Sequence, residues 1–285
     1  MSVAEIGRTS EVGMPLEKFT KKLREDLSVE NSYIPNAQAI KIISNPNSKV
    51  AILMIHGFTG SVASISPWVK TMAAFGFNVC APLLPGHGTT WKNLNQTRWQ
   101  DWFNSAEEEF KTLRYSHQKV FIAGFSMGGA LALRLAQIYG NEVSGLILIN
   151  PSIEDKRFIQ KLVPLIKYFV PRTRRSARKN GTDVAAPNPP KHSYGVIPLK
   201  ALASLQKLWK LVGQNLYLIN QPLLLGISPQ DHVVNPDSVQ TLLGHINSVK
   251  VTQIEFPNSF HNVALDYDLE KLCTASRDFI NEIAG

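Results

Sequence analysis

Short apolar runs recur along the chain and predict the strands of a sheet. Valine, isoleucine and leucine fill most of these runs without regular alternation, which is typical of parallel strands covered on both faces. We predict strands at Ala39–Ile43, Val50–Ile55, Phe77–Pro82, Val120–Ala123, Leu146–Ile149, Leu223–Ile227 and Val251–Phe256.

Segments with the periodicity of amphipathic helices separate these runs. They lie at Trp68–Ala74, Trp102–Leu113, Ala130–Ile138, Val239–Ile246 and Leu269–Ile283. Strands that alternate with helices predict an α/β fold built on a doubly wound, mostly parallel sheet.

One interval, Pro151–Lys200, breaks this alternation, since it holds seven prolines and many basic residues. Insertions at the carboxyl ends of parallel strands lie over the ligand site of such sheets, so we interpret the interval as a small cap. The predicted organisation is an N-terminal arm at 1–37, a core at 38–150 and 201–285, and a cap insertion at 151–200.

The composition allows a large hydrophobic core, because 44% of the 285 residues are hydrophobic and 18% are charged. No apolar stretch approaches the roughly 20 residues of a membrane-spanning helix. The N-terminal sequence has no apolar run that could serve as a signal peptide. Cys80 and Cys273 show no metal-ligand spacing. We therefore expect a cytoplasmic protein without a metal.

The formal net charge of +8 is unevenly distributed. Lys156–Thr182 contains nine basic residues and no acidic ones. A solvated face is the simplest interpretation of such a run. The interleaved apolar residues also make the basic cap a candidate for peripheral contact with an anionic membrane. We expect no nucleic-acid partner, because no recognition motif accompanies the charge.

The segment Phe121–Ala130 carries the most informative chemical pattern. An apolar strand leads into Gly-x-Ser-x-Gly around Ser126, and a helical pattern follows. This context is the one that a nucleophile elbow requires, since the serine lies in a strained turn between strand and helix. We predict that Ser126 is a nucleophile.

A serine nucleophile needs a general base, which follows it in the chain order of this arrangement. Four histidines follow Ser126. His192 lies in the predicted cap, His245 lies in a predicted helix, and His232 directly follows an aspartate. His261 lies in a polar loop between the last strand and the last helix, and we predict that it is the base.

The acid that orients this base is expected at the end of the preceding strand. Asp231 lies in the exit loop of Leu223–Ile227 and is our candidate. Asp237 and Asp266 are rivals. Asp237 reads as the start of the next helix, and Asp266 follows His261 too closely in sequence to orient it well.

Backbone N–H groups are expected to bind the oxyanion that forms on the substrate. One is the N–H of Met127, the residue after the serine. The other comes from the loop after Val50–Ile55, where Phe58 offers its N–H and where Gly57 and Gly60 permit the turn. We assign structural roles to His56 and His87.

Taken together, these segments resemble the bacterial carboxylesterases and monoacylglycerol lipases of the α/β-hydrolase superfamily. The resemblance covers roughly residues 38–283. It rests on five motifs in the order of that family and on Asp266-Tyr267-Asp268 after the histidine. The five motifs are His56-Gly57-Phe58-Thr59-Gly60, Pro85-Gly86-His87-Gly88, Gly124-Phe125-Ser126-Met127-Gly128-Gly129, Asp231-His232-Val233-Val234 and Ser259-Phe260-His261.

The resemblance implies an α/β-hydrolase fold and hydrolysis of short- to medium-chain acyl esters, with monoacylglycerols as one candidate class and no cofactor. It gives the nucleophile, acid and base roles to Ser126, Asp231 and His261, and the oxyanion N–H groups to Phe58 and Met127. Monoacylglycerol-cleaving members carry an acidic residue shortly after a cap tyrosine. Here Gly195 follows Tyr194, which favours a more general or more apolar ester.

Two other functions are compatible with these residues. Acyl transfer or amide hydrolysis can run on the same three side chains. A catalytically silent ligand-binding protein can keep the fold, because a fold does not fix a function.

Overall fold

The apolar runs form strands in the computed structural model, which describes residues 34–174 and 182–285. Within those residues the strands are β1 (Ile40–Ile42), β2 (Val50–Ile55), β3 (Asn78–Ala81), β4 (Lys119–Phe125), β5 (Gly145–Ile149), β6 (Arg172–Arg174), β7 (Val196–Pro198), β8 (Leu223–Ile227) and β9 (Val251–Glu255). The predictions for β2 and β8 have the observed bounds, and the other sheet strands differ by one or two residues at an end.

Seven of these strands form one sheet in the order β1-β3-β2-β4-β5-β8-β9. All neighbours are parallel except β1, which pairs antiparallel with β3. β6 and β7 form a separate two-stranded antiparallel ribbon in the cap interval. The sheet confirms the predicted mostly parallel α/β architecture.

The helices of the described residues are α1 (Ser66–Ala74), α2 (Trp91–Gln96), α3 (Trp99–Ser116), α4 (Met127–Tyr139), α5 (Phe158–Ile166), α6 (Leu199–Gln214), α7 (Asp237–His245) and α8 (Leu269–Ala284). The five predicted helices are present with longer or shifted ends. The sequence analysis missed α2 and α6 and gave no bounds for α5, which lies in the predicted cap. In α2 the side chain of Thr90 accepts a hydrogen bond from the N–H of Asn93 and caps the helix.

Hydrophobic clusters cover both faces of the sheet. In β2, Ala51, Leu53 and Ile55 belong to one cluster. Ile52 and Met54 point to the other face and belong to the second cluster. Successive residues of β2 point to opposite faces, and both faces are covered by a hydrophobic core. The strand is therefore apolar at every position.

The last strand departs from this rule. β9 pairs with β8 at the edge of the sheet, and the side chains of Thr252, Gln253 and Glu255 are exposed. The expectation that every strand is covered on both faces is wrong for β9, because an edge strand keeps contact with solvent.

Part of the predicted organisation lies outside the described residues. These are most of the arm, with its first 33 residues, and the segment 175–181 of the basic run. Ile34 and Ala37 are described and are buried in the larger cluster, where the N–H of Ile34 donates to the carbonyl of Gly88. No helix within the described part of the chain is long and apolar enough to cross a membrane.

Candidate active site

Ser126 stands in the sharp turn between β4 and α4. Its φ of 55° and ψ of −118° lie outside the regions that residues with a side chain normally adopt. Three backbone hydrogen bonds hold the turn: the N–H of Ser126 donates to Ile149, and its carbonyl accepts from Gly129 and Ser152. The strained conformation is therefore fixed from both sides of the serine.

Two glycines let this turn pack closely. A Cβ on Gly124 would stand 2.4 Å from the carbonyl oxygen of Gly128, and a Cβ on Gly128 would stand 2.1 Å from that of Ile55. Both contacts are with backbone atoms, which cannot move aside cheaply. The small residues on either side of Ser126 are thus required by space, as the motif predicts.

His261 and Asp231 share a short hydrogen bond. The Nδ1 atom of His261 lies 2.7 Å from Oδ2 of Asp231, and the carboxylate can only accept, so Nδ1–H is the donor. The other oxygen of Asp231 accepts the N–H groups of Val233 and Val234 at 2.7 and 3.0 Å. The ring of Phe125 packs on the His261 ring with centroids 4.8 Å apart.

The Asp231 carboxyl is strongly biased towards its charged form. Burial alone would raise its pKa, but His261 and the N–H groups of Val234 and Val233 outweigh burial, so the pKa falls below 3.8. Asp231 is therefore an anion at neutral pH. That anion keeps the proton of His261 on Nδ1 and leaves Nε2 to accept one.

The rival acids have other contacts. Asp237 is the first residue of α7, as the sequence indicates. The Asp266 carboxylate accepts the N–H groups of Ala185, Ala186 and Phe260 at 2.7 to 2.9 Å. It joins residues 185–186, which lie in the predicted cap, to the loop that carries His261.

The loop after β2 contains the second expected oxyanion donor, Phe58. The positive φ of this turn, 61°, belongs to Thr59 and not to a glycine. Gly57 and Gly60 therefore do not provide the positive φ of this turn, and the expectation that they permit it is wrong. Gly57 is needed for close approach instead, because its Cβ would stand 3.2 Å from the Cβ of Ser126.

His56 and His87 are buried behind this loop. The Nδ1–H of His56 donates to Gly57, and its Nε2 accepts the N–H of Leu84. The two contacts exist together only with a neutral ring, because a protonated Nε2 cannot accept a hydrogen bond. Burial favours this neutral form and lowers the pKa of His56 to about 4. Burial, with His56 beside it, also lowers the pKa of His87 well below 6.5. These contacts are structural, as expected.

Ser126 and His261 line the same cavity, which has about 850 Å³ of empty space out to the open solvent. Phe58, Met127 and His192 line it as well. Asp231 lies behind His261 and borders a neighbouring hollow. The cavity therefore brings together four of the five predicted site residues, and the fifth is joined to it through His261.

One wall of the cavity is apolar and comes mainly from α6. Leu202, Leu205 and Trp209 recur at helical spacing on the face that lines the cavity, and Ile197 extends that face. α6 begins at the edge of the predicted cap and was not recognised as part of it. Its apolar face was overlooked because its sequence also fits a helix packed on the core.

Six apolar residues of the predicted cap are, by sequence, candidates either to line an acyl channel or to pack on the core: Ile153, Phe158, Ile159, Leu162, Ile166 and Phe169. Phe169 is 88% exposed, so it does neither. Ile153 borders a hollow between α5 and α6, and Ile166 packs partly against the larger core cluster. The side chains of Phe158 and Ile159 lie outside the described part of the structure.

The sequence analysis also missed two carboxylates of the cavity. Asp155 is paired with Arg157 and accepts a hydrogen bond from the side chain of Gln160 at 2.8 Å. Asp183 lies against the backbone of His261. No local signal marks either residue, since each is a single aspartate in a loop. Within residues 34–174 and 182–285, no group of three or more acidic, histidine or cysteine side chains is placed to hold a metal ion.

Comparison with known proteins identifies a family and several relatives that match this chain. Residues 46–268 match the model of the family described as "Serine aminopeptidase, S33". The thermostable monoacylglycerol lipase of Bacillus sp. (strain H-257) is 31% identical over 84% of this chain and 93% of its own. The carboxylesterase of Bacillus subtilis (strain 168) is 21% identical over 82% of this chain and 93% of its own.

Solved structures agree with these relatives. A structure reported for LipS and LipT, two metagenome-derived lipolytic enzymes, superposes with a TM-score of 0.81 at 26% identity, over 88% of this chain and all of that one. The soluble variant of monoglyceride lipase from Saccharomyces cerevisiae has a TM-score of 0.71 at 16% identity, over 89% of this chain and 97% of that one, which supports the fold alone.

Proposed function

The chain belongs to the serine aminopeptidase S33 family of α/β hydrolases, and from this membership we propose that it cleaves carboxylic esters with Ser126, Asp231 and His261. The observation that carries the proposal is the 2.7 Å hydrogen bond between His261 and Asp231, on a histidine that shares its cavity with a strained serine. The names of the relatives, monoacylglycerol lipase and carboxylesterase, favour esters over peptides.

The reaction proceeds in two halves. Ser126 Oγ attacks the ester carbonyl while Nε2 of His261 takes its proton, and the charged Asp231 stabilises the imidazolium. The N–H groups of Phe58 and Met127 hold the oxyanion, each worth about 2.7–4 kcal/mol. His261 then gives the proton to the leaving alcohol. In the second half His261 takes a proton from a water molecule that attacks the acyl carbonyl, and it returns this proton to Ser126 Oγ as the bond to the acyl group breaks and the acid leaves.

The acyl chain of the substrate lies along the apolar wall of α6. Leu202, Leu205 and Trp209 exclude water from that side, and a chain buried there gains about 0.8 kcal/mol for each methylene group. A wall of about two helical turns suits a short- to medium-chain acyl group. Trp209 also borders the hollow between α5 and α6, where a longer chain would have to pass.

The alcohol that the ester carries is the second part of the substrate to assign. Monoacylglycerols are one candidate class, supported by the name of the relative at 31% identity. Tyr194 does not serve that alcohol, because its hydroxyl donates to Gly86 and accepts the N–H of Thr89. Ser152 lines the cavity, and its hydroxyl is a candidate to bind the alcohol.

Amide hydrolysis and acyl transfer are the alternatives within this machinery. The description of the family names aminopeptidases, so amide hydrolysis is tested beside ester hydrolysis. The second would appear as partition of the acyl-enzyme to an added alcohol in place of water.

A panel of p-nitrophenyl esters from acetate to palmitate, with glycerol monoesters and aminoacyl anilides beside it, tests this function. We expect ester turnover that is greatest for short to medium chains, and no turnover by a folded Ser126→Ala variant. Turnover of the anilides alone would replace the ester assignment by an amidase. No turnover of any substrate by the folded protein would overturn it.

We also propose that the cap touches anionic membranes. Four apolar residues at the end of α5 and directly after it form an exposed apolar tip, and the first three are 67%, 72% and 88% exposed: Leu165, Tyr168, Phe169 and Val170. Lys161 is exposed one helical turn before Leu165, and the Lys167 ammonium lies 4.9 Å from the ring of Tyr168. Basic and apolar groups on one surface suit the interface of a negatively charged bilayer.

Sedimentation with vesicles of phosphatidylglycerol and phosphatidylcholine tests that contact. We expect binding to anionic vesicles that weakens with added salt and is lost in a variant with Tyr168→Ser and Phe169→Ser. Tyr115→Ser, at a 97% exposed aromatic on α3, is the matched control and should bind normally. Equal binding to neutral and anionic vesicles, or none, would contradict the proposal.

A further inference from the structure

Asp183 is a buried carboxylate of the cap whose side chain is 1% exposed. Its Oδ2 atom accepts the main-chain N–H of His261 at 3.2 Å and that of His232 at 3.1 Å. Its Oδ1 atom lies 3.0 Å from Nδ1 of the His232 ring. One side chain therefore binds two loops that are far apart in the sequence.

These two loops carry the acid and the base of the proposed function. Asp231 directly precedes His232, and the side chains of Asp231 and His261 meet at 2.7 Å. Asp183 clamps the main chains of the same two loops on the other side of that bond. A movement of either loop would lengthen the bond between Asp231 and His261 or turn the imidazole away from Ser126.

The contacts explain why a carboxylate stands at this position. Three N–H donors converge on it, and a carboxylate offers about four acceptor sites on its two oxygens. An asparagine offers one carbonyl oxygen for the main-chain donors, and its NH2 group can keep the ring of His232 only if that ring changes tautomer so that Nδ1 accepts. The hydrogen bonds also offset the cost of burying the charge.

His232 completes the clamp. Its side chain is 48% exposed, and its ring packs edge-to-face on the ring of Phe260 with centroids 4.8 Å apart. Phe260 directly precedes His261. The His232 ring therefore touches the base loop through Phe260 and binds the cap through Asp183.

The cap and the base loop are joined at three further points. The carbonyl of Asp183 accepts the N–H of Asn262 at 3.1 Å. The N–H groups of Ala185 and Ala186 donate to Asp266, whose carboxylate also accepts from Phe260. Residues 183–186 thus form a strap of the cap along the loop that carries His261.

We propose that Asp183, together with His232, is a positioning residue that holds His261 against Asp231 and ties that geometry to the cap. The proposal rests on the proposed function, because it assigns Asp183 a role through the acid and the base of that reaction. It makes Asp183 responsible for the turnover rate and leaves binding of the acyl chain to the apolar wall of α6.

Steady-state kinetics of p-nitrophenyl butyrate hydrolysis, with kcat normalised to the sites labelled by a fluorophosphonate, tests this role. We expect Asp183→Ala to lower kcat about 10–100-fold, because a shift of about 1 Å in a reacting group has an effect of that size. KM should change less than about threefold, since the α6 wall is untouched. Asp183→Asn should recover part of kcat.

His232→Phe separates the ring contact from the main-chain contacts. It keeps the packing on Phe260 and removes the ring nitrogen altogether, so we expect kcat to fall by at least as much as in Asp183→Asn. If Asp183→Ala does not fold, the kcat of His232→Phe still tests the role of Asp183.

Asp268→Asn is the matched control. Asp268 is a buried carboxylate that accepts the N–H of Asn258 and the hydroxyl of Ser259 in the same loop. It should lower Tm and leave kcat per labelled site within about threefold, since it does not join the loops of Asp231 and His261.

Two results would overturn the role of Asp183. One is a normal kcat per labelled site in Asp183→Asn and His232→Phe. The other is a fall in Tm that accounts for all lost activity, as in the control. Failure of the proposed function looks different, because the unaltered protein would then not hydrolyse the ester at all.

Discussion

The carbonyl of Ile55 faces the α-carbon of Gly128 so closely that a Cβ on residue 128 would stand 2.1 Å from the Ile55 oxygen. This contact presses the first turn of α4 against the end of β2. The same contact sets the spacing between Ser126 and the loop of Phe58. A glycine buried at the start of a helix is thus a requirement of the site.

Gly128→Ala should therefore cost stability and activity together. We expect a loss of about 1–3 kcal/mol or more in the free energy of unfolding, because the added methyl meets backbone that must shift. Chemical denaturation and ester turnover measure the two effects.

Gly213→Ala on α6 is its control, since a Cβ there meets nothing within 4 Å. It should raise the free energy of unfolding by up to about 1 kcal/mol, as alanine does in a helix. An unchanged Gly128→Ala protein would show that the close contact does not exist in solution.

The sheet could be predicted from the sequence because its buried strands are runs of branched apolar residues with turn signals between them. β2 and β8 illustrate this. Serine, histidine and aspartate were selected by their positions at strand ends, and the structure pairs His261 with Asp231. Their catalytic roles stay a prediction.

Asp231→Asn tests the choice among the three candidate acids. It leaves the shape intact and favours the wrong tautomer of His261, so we expect kcat to fall by about 10⁴-fold with a small change in KM. Asp237→Asn, at the first residue of α7, should stay within about twofold of the unaltered protein. Comparable losses in both variants would contradict the assignment of Asp231.

The buried histidine behind the oxyanion loop gives the protein a pH-dependent stability. Burial lowers the pKa of His56 from its ordinary value of 6.5 to about 4 in the folded state. Between these values the unfolded chain binds more protons, so the free energy of unfolding decreases as the pH falls from 6.5 to 4. His56 accounts for up to about 3 kcal/mol of that decrease.

Urea unfolding at pH 7, 5.5 and 4 measures this dependence. His56→Gln should be less stable at pH 7, where a neutral His56 is already well hydrogen-bonded, and should lose less stability on acidification. A His56→Gln protein with the full decrease would refute the assigned cause.

The cavity wall makes a prediction about chain length. Trp209 separates the cavity from the hollow between α5 and α6, so Trp209→Ala should join the two. We expect the ratio of kcat/KM for laurate over butyrate esters to rise about tenfold or more, since each buried methylene contributes. Tyr217→Ala, at an exposed aromatic away from the cavity, should keep the original ratio.

The parts that the sequence could not predict depend on contacts between distant segments. Asp183 lies 78 residues from His261 in the chain and meets it only after folding. The apolar face of α6 looks the same in sequence whether it lines a cavity or packs on the core. The positive φ of Thr59 is fixed by the packing of its loop and not by the residue type.

The central claim is that His261 activates Ser126, and fluorophosphonate labelling followed by peptide mapping tests it most directly. We expect one adduct per chain, on Ser126. We expect a folded His261→Asn variant to label about 10³-fold more slowly, because its serine lacks a general base. No adduct on Ser126 in the folded protein, or an equal labelling rate in His261→Asn, would contradict the account.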